Sequence, residues 1–241
     1  MRILPGLIAA ITLSTGAVCA APVSFAAEDG VTVHADYQGQ GGRALIVLFH
    51  QAGSNLHEYD TIVPRLQAAG FDTLAVSQRS GGNLFGGKNE TAQGVAGEAE
   101  YLDAYPDMEA ALNWAKSDAN ATRMIVWGSS YSSSLVFKLA SEHPKGVAGV
   151  MSFSPGNYFG TRFLPKDAAA GVKAPVFVTS ASDEGEVSAA RAILAAVPGA
   201  ATQFVPKQGL HGSSSLREDM NPNGAEEIWQ AVEAFLVPLR S

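Results

Sequence analysis

The sequence predicts an α/β fold, with a mostly parallel central sheet and helices on both faces. Three observations carry this expectation. Short apolar segments alternate with helical patterns along most of the chain, as in parallel sheets crossed over by helices. Ala44 to Phe49 reads ALIVLF, a continuous apolar run of the kind a strand buried on both faces requires. The 241 residues, 46% hydrophobic and 16% charged, suffice for one substantial core.

Residues 1–20 are expected to be a signal peptide, and residues 21–241 a single domain. Arg2 supplies a positive start, Ile3 to Val18 is apolar and small, and Val18-Cys19-Ala20 suits cleavage after Ala20. Ser24-Phe25-Ala26 is a second cleavage site by the same criterion. The apolar stretch is too short and too rich in Gly, Ser and Thr for a good membrane span, so no stable anchor is expected. Export then places the protein in a bacterial periplasm or outside the cell.

Beyond the leader, Val31 to Tyr37 alternates as an edge strand would, and Ala44 to Phe49 is the buried strand. Tyr59 to Ala69 has helical spacing and stops at Gly70, a residue suited to a helix C-terminus. Phe71 to Val76 is the next strand. Ser80 to Tyr105 carries six glycines and no clear period; a loop of that length in a compact domain is usually functional or mobile. Helix Asp107 to Ser117, strand Arg123 to Trp127, helix Ser130 to Ser141 and strand Val147 to Phe153 follow. Strand Pro175 to Thr179, helix Val187 to Ala196, strand Thr202 to Val205 and helix Ala225 to Leu236 complete the chain.

Composition excludes several functions. A net charge of −7, with no basic run, lacks the footprint that neutralises phosphates, so no nucleic-acid partner is expected. Cys19 is the only cysteine; cleavage after Ala20 leaves a mature chain with no disulfide, thiol nucleophile or cysteine metal site. No cluster with metal-ligand spacing and no phosphate-cradling loop is found, so neither metal nor cofactor is expected.

The chemistry is concentrated at Gly128-Ser129-Ser130-Tyr131-Ser132, which follows the strand Arg123 to Trp127. A sharp strand-to-helix turn strains its central residue and needs small neighbours two positions either side, because the two backbones crowd there. This is the spacing of a nucleophile elbow, G-x-S-x-G, with Ser132 in place of the second glycine. It puts the Ser130 hydroxyl at the tip of the turn, and the Tyr131 N–H at a helix start facing a developing oxyanion. Ser133 and Ser134 read as packing and first-turn residues.

A serine nucleophile needs a base, and the base needs a carboxylate. Asp183 lies just past the apolar strand PVFVTS, and His211 just past TQFV, which gives the order serine, acid, histidine. Glu184 or Glu186 can stand in for Asp183, and Asp183 also suits a helix N-cap. His34, His57 and His143 do not follow a late strand. His50 ends the ALIVLF strand at the same sheet edge, where hydrogen bonding that shapes the loop is its expected role.

With these residues in place the chain, from roughly Val31 to Leu239, resembles an α/β-hydrolase of the small dienelactone-hydrolase-like or serine-esterase type. Phe49-His50-Gln51-Ala52-Gly53 resembles the family's His-Gly-x-Gly loop, which implies an oxyanion N–H at Ala52; Gln51, in place of the usual glycine, is a second candidate donor. Ser77-Gln78-Arg79-Ser80-Gly81-Gly82 resembles a loop that often reads Asp-x-Arg-Gly-x-Gly, with Arg79 structural. Ser130 stands where dienelactone hydrolases carry cysteine, so lactone chemistry is not implied. Ser154 to Ala174 is too short for a large lid, which favours an open site and small or exposed ester substrates, including exposed polymers. Tyr158, Phe159 and Phe163 are candidates to line it. The resemblance implies an ester-cleaving serine hydrolase; an amidase or peptidase with the same triad, or a silent binding protein on this fold, are the alternatives.

Overall fold

In a computed structural model, residues 21–41 and 44–240 are described. The expected leader lies outside them. Eight strands form one sheet in the order β1-β2-β4-β3-β5-β6-β7-β8. They are β1 (Ala21–Ala26), β2 (Thr32–Gln38), β3 (Ala44–Phe49), β4 (Asp72–Ser77), β5 (Arg123–Ser129), β6 (Val147–Phe153), β7 (Val176–Thr179) and β8 (Ala201–Phe204). From β4 to β8 every pairing is parallel, whereas β1–β2 and β2–β4 are antiparallel.

The helices are α1 (Val63–Ala68), α2 (Glu90–Gln93), α3 (Tyr105–Ser117), α4 (Tyr131–Glu142), α5 (Pro165–Ala169), α6 (Glu184–Leu194) and α7 (Ala225–Leu236). Alternation within each strand divides the core into two layers. In β3, Leu45, Val47 and Phe49 join the layer under α3, α4, α5 and α6. Ala44, Ile46 and Leu48 join the layer under α1 and α7. Both faces are therefore covered, which is why the strand reads as an unbroken apolar run.

Two sequence expectations are revised here. The strand read from Val31 to Tyr37 is not at the sheet edge: β1 pairs along its outer side, from Ala21↔Tyr37 to Ala26↔Thr32. Ser24-Phe25-Ala26 lies inside β1, so a cut after Ala26 would strip the sheet of that strand. The helix read from Tyr59 to Ala69 is shorter; a 3₁₀ turn, Leu56–Tyr59, precedes α1, with Asn55 accepting from the His57 N–H at its start.

The glycine-rich segment from Ser80 to Tyr105 is anchored at several points. Buried Asn89 caps α2 by accepting from the Ala92 N–H, and its amide donates to the carbonyls of Ser54 and Gln78. Tyr101 stacks on Tyr131, with ring centroids 4.6 Å apart. Arg79, just before the segment, binds Asp107 and Asp29 and ties α3 to the β1–β2 turn, the structural role expected of it.

Candidate active site

The elbow forms where β5 meets α4. Ser130 has φ 57° and ψ −122°, a left-handed backbone that non-glycine residues rarely adopt and that is kept where surrounding structure enforces it. Its N–H is held by the Phe153 carbonyl at 2.9 Å. Gly128 cannot be larger, because a Cβ there would stand 2.3 Å from the Ser132 carbonyl oxygen.

The loop after β8 brings His211 to this turn. Gly212 (φ +66°) lies so close to Ser129 that a Cβ would come within 2.4 Å of its hydroxyl. The Ser213 N–H donates to Ser129 Oγ at 2.9 Å, and the Trp127 indole donates to Ser213 Oγ at 2.9 Å. The Gly212 N–H donates to Ser154 Oγ at 2.8 Å. These bonds aim the imidazole: His211 Nε2 lies 2.8 Å from Ser130 Oγ, and Nδ1 lies 2.6 Å from Glu186 Oε1.

The carboxylate at His211 is therefore Glu186, not Asp183. Asp183 is the N-cap of α6, and its Oδ1 accepts from the Glu186 N–H at 3.0 Å. The physical reason lies in the helix start. Asp183-Glu184-Gly185-Glu186 has capping-box spacing, so the cap residue turns back onto the helix while the third residue of the first turn projects towards the sheet edge. Glu186 Oε2 accepts from the Ala181 N–H at 3.0 Å, leaving Oε1 for the imidazole. Ser182 ties this loop to that of His211, accepting from the Gly209 N–H at 2.6 Å and donating to the Pro206 carbonyl.

The electrostatics match the geometry. Burial raises the Glu186 carboxyl, but bonds from His211, Ser154 and the Ala181 N–H outweigh it, and its pKa lies below the usual value. The bond to Glu186 raises His211 above the ordinary histidine value, against its own partial burial. Tyr158 donates to the Ser154 carbonyl at 2.7 Å, and burial pushes its phenol up to about 12 against the pull of Ser130. It therefore stands beside Ser130 as a neutral hydrogen-bonding group.

Opposite the elbow, the His50–Gly53 loop is held from both sides. His50 is buried; Nδ1 donates to the Gln51 carbonyl at 2.8 Å, while Nε2 accepts from the Gln78 N–H at 2.9 Å. Burial lowers its pKa to about 4, so the ring stays neutral. The Gln51 N–H is committed to Glu58 Oε2 at 2.8 Å, which removes the Gln51 main chain as an oxyanion donor. The Ala52 and Tyr131 N–H groups make no hydrogen bond among the described residues. The Gln51 carbonyl shares a peptide plane with the Ala52 N–H; because His50 holds that carbonyl, the N–H must point the opposite way.

Two of the serines around Ser130 reach out to other loops, and a third bonds the elbow itself. Ser132 donates to the His50 carbonyl at 2.6 Å, Ser133 to the Ser130 carbonyl, and Ser134 to the Gly156 carbonyl at 2.8 Å. Sequence reading assigned the small residues here to crowding alone and did not detect these ties, since a hydroxyl's long-range partner leaves no local pattern. Of the aromatic candidates, Tyr158 reaches the site, whereas Phe159 is buried in the core.

A strained serine at a strand-to-helix turn, a histidine bonded to it and a carboxylate behind that histidine, all at the carboxyl edge of a parallel sheet, define a hydrolase-type site. A family model described as the alpha/beta hydrolase fold matches residues 44–220, and the chain belongs to that family. An esterase from Pyrococcus furiosus, Pf2001, is 18% identical, with a TM-score of 0.69 over 99% of this chain and 97% of that one. A dienelactone hydrolase from Anabaena variabilis is 16% identical, with a TM-score of 0.72 over 91% of this chain and 97% of that one. Est1E from Butyrivibrio proteoclasticus, in a structure with ferulic acid bound, is 15% identical, with a TM-score of 0.67 over 87% and 96%. At such identities the likeness establishes the fold. No curated protein sequence matches the chain.

Proposed function

We propose that this protein is an exported serine hydrolase that cleaves carboxylic esters through an acyl-enzyme. The observation that carries the reading is the bonding of His211 to Ser130 Oγ at 2.8 Å and to Glu186 Oε1 at 2.6 Å. Ser130 Oγ attacks the ester carbonyl while His211 Nε2 takes its proton. Glu186 fixes the tautomer with hydrogen on Nδ1 and stabilises the imidazolium that forms. The Tyr131 and Ala52 N–H groups receive the charge that develops on the carbonyl oxygen. The proton on His211 then passes to the departing alcohol. Water, deprotonated by the same imidazole, releases the acid and restores Ser130.

Substrate scope follows from the lining. Between β6 and β7 the only helix among the described residues is the short α5, which supports small or exposed esters as the substrates. Tyr158 beside the serine supplies a neutral polar wall. Esterase neighbours on the same fold agree with ester cleavage. Export rests on Arg2, the apolar run Ile3 to Val18 and the small residues before Ala21.

The test is covalent labelling with a fluorophosphonate followed by peptide mapping, alongside turnover of short and long p-nitrophenyl esters and the matching anilides. Labelling at Ser130 with ester turnover is expected. A folded protein that neither labels nor turns over any ester would overturn the reading.

A further inference from the structure

Glu58 is fully buried and lies outside the hydrogen-bonded chain of Ser130, His211 and Glu186. It sits in the 3₁₀ turn after the His50–Gly53 loop, with Oε2 on the Gln51 N–H at 2.8 Å. Its other oxygen, Oε1, is buried and makes no hydrogen bond among the described residues. Around the carboxyl stand the hydroxyls of Ser129, the residue before the nucleophile, and Ser54, together with the Arg217 guanidinium from the loop after His211. A buried carboxyl that bonds the His50–Gly53 loop, lies beside the Ser129 hydroxyl and feels the Arg217 charge is an expensive feature to keep for stability alone, since burial disfavours its charge.

We propose that Glu58 is a positioning residue for acyl transfer: its buried carboxylate clamps the Gln51 amide and thereby sets the peptide that presents the Ala52 N–H to the site. This rests on the serine-hydrolase reading. The clamp works with His50. Gln51 is held at its N–H by Glu58, and at its carbonyl by His50 Nδ1 and the Ser54 N–H. Glu58 thus fixes the His50–Gln51 peptide while His50 and Ser54 fix the Gln51–Ala52 peptide, and together they set the turn at Gln51 that aims the Ala52 N–H. Without Glu58 the His50–Gln51 peptide is held only through the Ser132 hydroxyl on the His50 carbonyl, and the Ala52 N–H loses part of the preorganisation that makes an oxyanion donor effective.

The charged form matters because a carboxylate accepts an N–H bond more strongly than a neutral acid does. Burial raises Glu58 to about 7, opposed by Ser129, the Gln51 N–H, Ser54 and Arg217. The other titratable groups facing it are His211 from the loop after β8, Tyr59 on its own turn and Tyr131 on α4. Asp219 balances Arg217 through a 2.9 Å ion pair. Both tyrosines stay protonated, since burial raises each above the ordinary phenol range. His211 must lose a proton to act as base and Glu58 must lose one to hold the loop most strongly, so the acid limb of kcat/KM should carry two ionisations.

The experiment compares wild type, Glu58→Gln and Arg217→Gln on a short p-nitrophenyl ester across the neutral range, with circular dichroism melting of each. Glu58→Gln keeps an oxygen that accepts the Gln51 N–H but loses the charge that strengthens the bond, so kcat should fall by roughly 3- to 10-fold with KM within about twofold, as weakened transition-state positioning does. Its acid limb should relax to a single ionisation. Arg217→Gln should move one ionisation of the limb to higher pH, by removing the cation that favours the carboxylate. This second arm decides the matter if Glu58→Gln does not fold. A folded Glu58→Gln with wild-type kcat and an unchanged limb, or an Arg217→Gln limb identical to wild type, would overturn the proposal and leave ester hydrolysis standing. Wild type without ester turnover and without Ser130 labelling would remove both.

Discussion

Replacing each of two acids three residues apart separates a relay from a cap. In Glu186→Gln the amide keeps the volume and can still accept from the Ala181 N–H. It cannot stabilise an imidazolium by charge, and its NH₂ group competes for the tautomer of His211. The bond at stake is 2.6 Å long and is the first cause of the upward shift of His211. An amide in the place of a triad carboxylate costs on the order of 10³- to 10⁴-fold in kcat. In Asp183→Asn the cap survives, because asparagine accepts the N–H of Glu186 as aspartate does. Its kcat should stay within about threefold of wild type, and even Asp183→Ala should cost only about 1 kcal/mol of stability. The assay is kcat on p-nitrophenyl acetate with a melting curve for each variant. A folded Asp183→Asn as inactive as a nucleophile knockout, with Glu186→Gln active, would refute the assignment of the acid.

Three further outcomes are expected. Ser130→Ala should abolish fluorophosphonate labelling and lower ester kcat on the order of 10³-fold or more, with the melting temperature retained, as checked by mass spectrometry and turnover. Ester hydrolysis should fall as pH drops through the pKa of His211, which Glu186 holds above the ordinary histidine value; the neutral ring is the active form, so Glu186→Gln should shift that ionisation to lower pH in a pH–rate profile. Gly128→Ala should damage folding rather than chemistry alone, at roughly 1–3 kcal/mol or more, because its Cβ would stand 2.3 Å from the Ser132 carbonyl oxygen; urea unfolding measures it.

The sheet was legible because its strands are buried on both faces: Ala44–Phe49 and Val147–Phe153 match their expected limits, and α7 matches the expected closing helix. β1 was not, because its residues follow directly on an apolar run and alternate only weakly, with exposed positions along one side of an edge strand. The elbow was legible for a steric reason. Gly128 and small neighbours are demanded by backbone crowding, and crowding leaves a local pattern. His211 was legible by its place after a late strand. The acid was misread for want of a helix boundary: placing the start at Val187 left Asp183 as the first acid past the strand. Starting the helix at Glu184 makes Asp183 a cap and puts Glu186 in the first turn. The capping-box spacing was the available signal. The buried carboxyl of Glu58 carried none, since its partner Gln51 is a main-chain amide and its burial depends on the loop after His211.

The five serines from Ser129 to Ser134 show how crowding and hydrogen bonding act together at one turn. Steric demand alone would be met by glycine or alanine. Each serine hydroxyl other than that of Ser130 instead bonds a backbone group or side chain, mostly from another loop. Ser129 receives the N–H of Ser213 and so seats the His211 loop. Ser134 both donates to the Gly156 carbonyl and accepts from the Gly156 N–H, at 2.8 and 3.0 Å, which fixes the segment leading to Tyr158. Ser132 explains why the usual second glycine is absent. Its hydroxyl donates to the His50 carbonyl and receives the Gln78 amide at 3.1 Å, joining α4 to the loops after β3 and β4. Removing that hydroxyl leaves buried polar groups unpaired at about 1–3 kcal/mol each, so the residue is held by hydrogen bonding as well as by size. The His50–Gly53 loop is thus fastened to the elbow itself through Ser132, so that Ser130 and the Ala52 N–H, which follow different strands, keep one register.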